Sequence, residues 1–141
     1  LATYRPFGSP IESPGGIQGK ANQFVMILDA LQLRLLEKIR SDLAGYSVVR
    51  STSPLDNRAI WLEIFAGGIH KGNSCQTLLK KLNINCKEVA GLGNDYNDID
   101  FLDICAEAYL VANAPVNLQR HYKLVRSDKE EGFTEFISKV L

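Results

Sequence analysis

The sequence holds little that would tie it to a membrane, a nucleic acid or a disulfide framework. Sixteen Lys and Arg offset sixteen Asp and Glu, so the formal net charge is zero. That balance removes any general electrostatic case for nucleic acid or for an anionic membrane, leaving only local basic patches. No apolar run approaches the roughly 20 residues that a membrane-crossing helix needs. No charged-then-apolar signal segment opens the chain. Cysteine is scarce: Cys75, Cys86 and Cys105 are an odd set without zinc-ligand spacing. Each is expected to sit as a small apolar residue in a reduced, cytoplasmic protein. An initiator Met is missing as well. The chain opens on Leu1 and runs through a Pro-, Gly- and Ser-rich stretch, which reads as a fragment, a processed product or a linker. Internal repeats and low-complexity tracts are absent.

What is present is an ordinary globular composition, 45% hydrophobic, enough for one domain or one and a fraction. Residues 1–22 lack an apolar period and read as loop. The run from Phe24 to Leu28 predicts a buried strand. Leu31, Leu35, Leu36, Ile39 and Leu43 recur at helical spacing, and Gly45 stops that helix. Strands are predicted at 46–50 and 59–65, separated by a turn cluster at 53–57. The order strand, helix, strand, strand suits an α+β unit with an antiparallel pair.

Gly67 and Gly68 break that rhythm, and the boundary is placed near residues 64–68. Beyond it, helices at 75–82, 99–105, 116–122 and 130–141 alternate with strands at 89–92, 108–111 and 123–125. This alternation predicts an α/β unit, a parallel sheet covered on both faces. Only about three strands are visible where five or more are usual, so half of the sheet is expected to lie elsewhere.

The densest chemistry is Gly91-Leu92-Gly93-Asn94-Asp95-Tyr96-Asn97-Asp98. It follows a predicted strand and precedes a predicted helix, where open α/β sheets hold their ligands. Asp95 and Asp98 supply carboxylates of the kind magnesium takes, and Asn94 and Asn97 add carbonyl oxygens or amides for a phosphate. The alternative is structural, with Asn97 or Asp98 capping the helix that starts near Ile99. An EF-hand is excluded, because Asp100 stands where its turn needs Gly and Ala106 where it needs Glu. Lys71, after a strand and a glycine pair, could neutralise a phosphoryl oxygen or a carboxylate nucleophile; a surface lysine is the alternative. His70 and His121 have no partner cluster in sequence and read as loop or surface residues. Trp61 and Phe65 read as packing residues, and Arg58 as a solvated arginine within reach of a substrate.

Taken together, Gly68-Ile69-His70-Lys71-Gly72-Asn73, the Gly91–Asp98 run, Ala112-Asn113-Ala114-Pro115 and Glu131-Gly132-Phe133 resemble the C-terminal half of sugar phosphatases of the haloacid dehalogenase superfamily with a large α+β cap. The resemblance covers residues 59–141 in order and spacing, and 23–58 more loosely. It implies a partial Rossmannoid core (65–141) joined to the closing part of a cap (23–64), after a loop or linker (1–22). It implies that Lys71 steadies the charge on nucleophile and phosphate, that Asn97 binds phosphate, and that Asp98 holds metal-bound water or Lys71. Asn94 stands where the family has a metal-binding Asp, and Asp95 is the carboxylate that could replace it. Asn113 would lie at a neighbouring loop, with a turn-forming role before Pro115 as the simpler reading.

The implied cofactor is magnesium, and the implied partners are a small phosphorylated metabolite and a missing N-terminal segment of the same protein, with no nucleic acid and no membrane. The family's nucleophile is the first Asp of an Asp-x-Asp after a strand. Asp98-Ile99-Asp100 has the spacing but opens a helix, and Asp29 is followed by Leu31, so the nucleophile is expected upstream and this chain alone is expected to be inactive. A non-catalytic binding or regulatory module with the same fold is the rival reading. A receiver-like signalling domain is disfavoured, because its lysine would follow the Asp cluster.

Overall fold

A computed structural model of the protein describes residues 19–53 and 59–141. Most of the 1–22 loop, the turn cluster beyond Ser53, and Arg58 lie outside the described residues. The first strand, β1 (Phe24–Leu28), leads through a 3₁₀ turn capped by Asp29 into α1 (Leu36–Asp42). β2 (Tyr46–Thr52) and β3 (Ile60–Ala66) follow. These strands form an antiparallel sheet in the order β1-β3-β2, with Met26 opposite Leu62 and Arg50 opposite Leu62 on the other side. The central position of β3 follows from its composition, since Ile60 and Leu62 are buried with Leu28 and Leu36 in a small core of their own.

The chain then changes habit. α2 (Lys71–Leu82) leads to β4 (Ala90–Gly93), α3 (Ile99–Leu102), β5 (Glu107–Val111), α4 (Val116–Gln119), β6 (Lys123–Val125) and α5 (Gly132–Val140). The three strands run parallel in the order β4-β5-β6. β5 is central, and its Tyr109, Leu110 and Val111 are buried with Leu102, Leu118, Val125 and Phe136. Phe136 of α5 meets the Tyr109 ring edge-on at 5.4 Å between centroids, a favoured aromatic geometry. The architecture is therefore α/β with a parallel sheet and flanking helices, preceded by an antiparallel sheet.

Several boundaries differ from the pattern-based expectation. α2 begins four residues before 75, at Lys71. Its first turn is polar, so the apolar period that marks a helix starts only at Leu78. α3 and α4 are single turns that end at Leu102 and Gln119. α5 begins at Gly132, because Glu131 takes a left-handed conformation (φ 60°) that no helix continues through. Cys86 is exposed and Cys75 and Cys105 are half-buried, so the expectation that all three are packed as small apolar residues fails most clearly at Cys86. It lies in a short 3₁₀ turn with no buried residue.

Candidate functional site

β4 ends at Gly93, and the polar quartet begins with the next residue. Asp95 is extended (φ −153°) and caps the 3₁₀ turn Tyr96–Asp98, accepting from the Tyr96 N–H at 2.8 Å. The Asp98 Oδ2 reaches back to accept from the N–H groups of Asn94 at 2.8 Å and Asp95 at 3.2 Å. This reciprocal capping box satisfies donors that a sharp turn would otherwise leave orphaned. The capping reading fails for Asn97 and Asp98, and the side-chain cap falls on the preceding turn. Asp95 is the cap, and no side-chain cap hydrogen bond is made by Asp98 at the start of α3. Gly93 is required here, because a Cβ would lie 2.8 Å from Cβ of Asp98.

The second oxygen of Asp98, Oδ1, accepts from the Lys71 ammonium. Asp98 is buried (5% exposed), whereas the Lys71 side chain is half exposed. Lys71 is the first residue of α2, with His70 as its N-cap. The start of α2 lies tight against α3, since a Cβ on Gly72 would come within 2.3 Å of the Asp100 carbonyl oxygen. That close approach brings a lysine and an aspartate 27 residues apart in sequence together. One residue before Lys71 and two beyond Asp98, His70 Nδ1 meets Asp100 Oδ2, which also accepts from the Gly72 N–H at 3.1 Å. His70 therefore has a partner that sequence inspection missed, because Asp100 is distant along the chain. With its Nδ1 proton directed at Asp100, the ring cannot also accept from the Asn73 N–H, which lies 3.4 Å away.

Asp95 has a further engagement. Its carboxylate accepts from the Thr52 N–H at 2.5 Å and the Thr52 Oγ1 hydroxyl at 2.9 Å. Beside it, the Arg50 guanidinium lies 3.5 Å over the Tyr96 ring, a cation–π stack. The end of β2 is thus fastened to the loop after β4. Nothing local in the sequence marks Arg50 or Thr52 for this role.

The quartet faces two hollows. A polar cavity of about 690 Å³ opens beside Asn94 and Asp95, bordered by Arg50 to Ser53, Asn113 and Asp128. Asn94, Asn113 and Asp128 each follow the carboxyl end of one parallel strand, where such sheets hold ligands. Asn113 and Asp128 are mutually bonded, Nδ2–H to Oδ1 at 2.9 Å and N–H to Oδ1 at 3.3 Å. Asn97 faces a second hollow of about 440 Å³ with Arg40, Arg50, His70 and Asp100. Asp98 lines neither hollow. His121 is exposed.

The donors suit a hard cation in kind, since all are oxygens. Their arrangement is sparser. Among the described residues no group of three or more His, Cys, Asp or Glu is placed to hold a metal. Both Asp95 oxygens are engaged by Thr52 and Tyr96, and both Asp98 oxygens by Lys71 and backbone amides. Asn94 is exposed. Magnesium keeps several waters and takes few protein ligands, and Asn94, exposed at the rim of the larger cavity, is the quartet member open to such an ion. Asp98-Ile99-Asp100 stands off the strand end, with its two carboxylates bound to Lys71 and His70, so it is no nucleophile motif.

Comparison with known proteins follows this geometry. The family model described as haloacid dehalogenase-like hydrolase matches residues 16–137. A protein of Buchnera aphidicola, provisionally named a phosphatase, is 26% identical over 82 residues, which is 56% of this chain and 30% of that one. A Streptococcus mutans crystal structure superposes with a TM-score of 0.76 at 22% identity, covering 92% of this chain and 48% of that one. A subclass IIB sugar phosphatase of the superfamily superposes with a TM-score of 0.67 at 14% identity, covering 83% of this chain and 42% of that one. The chain spans under half the length of each of these relatives.

Proposed function

This chain belongs to the haloacid dehalogenase-like hydrolases, and from that membership we propose that the whole protein hydrolyses a phosphomonoester, a small sugar phosphate, through an aspartyl-phosphate. The observation that carries the reading is the Lys71–Asp98 pair, bonded to the loop that follows β4, whose Asn94 and Asp95 border the polar cavity. In this reading residues 65–141 are the C-terminal half of the core and 23–64 the closing part of a cap. The attacking aspartate and the general acid come from a segment outside this chain.

The step is an in-line displacement. A carboxylate oxygen bonds to phosphorus, the sugar oxygen departs and takes a proton from the acid, and water then cleaves the acyl phosphate. Lys71 places a fixed positive charge beside the phosphoryl oxygens and the nucleophile. Asp98 holds that ammonium through Oδ1 and the loop through Oδ2. Asn97 offers an amide to the substrate. Magnesium, held by Asn94 or Asp95 and through water by Asp98, would supply charge neutralisation on the transferred group.

The test is phosphate release from sugar phosphates by the gene product purified from its native source. Lys71→Ala is expected to lower kcat by roughly 100-fold or more, the loss typical of a removed transition-state donor, with chelation of magnesium abolishing turnover. Turnover indifferent to Lys71→Ala would end the reading. Residues 1–141 alone are expected to be inactive, and magnesium-dependent hydrolysis by the pure chain would contradict that.

A second reading is a module that binds phosphorylated ligands without turning them over. It is favoured by Asn94 at the metal position and by the engagement of Asp95 with Thr52. Binding of sugar phosphates by the native product with no phosphate release would select it.

A further inference from the structure

The second hollow has a chemistry that phosphate transfer does not use. It lies between α1 and β2 on one side and the Tyr96–Asp100 segment on the other, and two guanidinium groups, those of Arg40 and Arg50, border it. The other titratable groups on its lining are Tyr96, His70 and Asp100. Asp100 is held by His70 Nδ1 and by the Gly72 N–H, so its carboxylate is met by local partners. Arg40 has Glu37 at 3.1 Å, a pair in which both side chains are largely exposed, so solvent weakens its hold. Arg50 has no carboxylate partner among the described residues' ion pairs. Its Nε is buried and bonded to nothing. Two arginines thus face one carboxylate on the lining.

Two further facts show that Arg50 is set for a ligand. Its guanidinium lies against the Tyr96 ring, and that ring is fixed in turn by the Tyr96 hydroxyl donating to Asn117 Oδ1 at 2.7 Å. Arg50 also borders the larger cavity, alongside Asn94 and Asp95. A planar, held guanidinium with an unmet donor recognises oxyanions by paired hydrogen bonds. Beside it, the buried Asn97 Oδ1 is likewise without a donor. It asks for an N–H or O–H from the occupant, which a bare oxyanion lacks and a polyol carries.

We propose that this hollow receives a second oxyanion of the substrate, bound by Arg50 and Arg40, with a neighbouring hydroxyl donating to Asn97. The substrate is then a hydroxylated phosphomonoester bearing a carboxylate or a second phosphate, and not a neutral sugar monophosphate. The inference rests on the phosphatase reading for the first phosphate, and goes beyond it in naming a second charged end.

The test is equilibrium binding to residues 1–141 in magnesium, by calorimetry or NMR titration. 6-Phosphogluconate is compared with glucose 6-phosphate, and fructose 1,6-bisphosphate with fructose 6-phosphate. At least one doubly anionic ligand is expected to bind about tenfold tighter than its partner, the gain of one charge-assisted paired contact. The pair that shows the gain distinguishes carboxylate from phosphate. Arg50→Gln is expected to remove that gain, and Arg40→Gln, which borders the second hollow and not the larger cavity, to remove part of it while leaving the monophosphate affinity within about twofold. Should Arg50→Gln fail to fold, Arg50→Lys, which keeps charge but not the fork, reads the same loss. Equal binding of both members of each pair would overturn this inference and leave the phosphatase reading standing. Binding of none by a chain shown folded by circular dichroism would also overturn this inference, whereas the phosphatase reading stands or falls on turnover by the native product.

Discussion

Asp98 and Lys71 share one ion pair yet have unequal stakes in the fold. The aspartate is buried and accepts from two amides as well as the ammonium, while 52% of the Lys71 side chain is exposed. Solvent therefore discounts what the lysine contributes to stability. Asp98→Asn turns an acceptor into a donor against N–H groups and is expected to cost about 1–3 kcal/mol. Lys71→Ala is expected to cost under about 1 kcal/mol. Urea unfolding of both variants, with m unchanged, checks this, and equal losses would show that the lysine is held for stability. The thiols separate in the same way. Burial, then the neighbouring thiols Cys75 and Cys86, push Cys105 up from 9.0 to about 11, and burial with the Asp103 bond pushes Tyr122 up from 10.0 to about 12. A thiol reagent at pH 8 is expected to modify exposed Cys86 first and Cys105 last, with the Cys105 rate still climbing toward pH 11. Both groups are neutral when folded at a pH where the unfolded chain has already ionised. Their contribution is whole below about pH 9 and is lost as pH rises through 11 to 12. A melting temperature flat from pH 8 to 11 would count against it.

The contact between β2 and the loop after β4 is a junction of elements. Thr52 gives Asp95 two hydrogen bonds, and only the hydroxyl one can be removed by substitution. Thr52→Val keeps the shape and leaves Asp95 Oδ1 with the Tyr96 N–H as donor, at a cost of about 0.5–1.5 kcal/mol. In the proposed enzyme it also frees part of Asp95, so magnesium affinity is expected to rise modestly while stability falls; titration of the ion against the variant and the parent reads this. If both quantities stay put, Asp95 is only a turn cap. This junction is also where sequence reading stops. Each strand was legible, because β-branched and apolar runs such as 24–28 and 108–111 speak locally. The Asn/Asp quartet was legible because it sits between a strand and a helix. The first turn of α2 was not, since Lys71, Gly72, Asn73 and Ser74 carry no apolar signal. Nor were Arg50, Thr52 and Asp100, whose partners lie about 30 to 46 positions away along the chain. Such pairings are set by how two sheets meet, and no period in the sequence records that.

The described residues form two separate cores of unequal size. The parallel sheet buries eight residues around Tyr109, Leu110 and Phe136, while the antiparallel sheet buries four around Leu62. Apolar burial is the main favourable term in folding, so the smaller cluster is the weaker. β1 fits this, because Phe24 to Ile27 remain exposed along its length. The Asp95–Thr52 bonds and the Arg50–Tyr96 stack join the halves, but they are polar and few. Opening of β1–β3 without β4–β6 is then the lowest sub-global event. Leu62 and Leu110 are both fully buried, so each change to Ala removes a comparable apolar volume, at about 2–5 kcal/mol. Their consequences differ in reach. Leu62→Ala is expected to speed hydrogen exchange in β1, β2 and β3 while amides of β5 keep their protection. Leu110→Ala is expected to speed exchange in both sheets, because the smaller core does not stand without the larger. Uniform acceleration by Leu62→Ala would mean that the two sheets unfold as one cooperative unit.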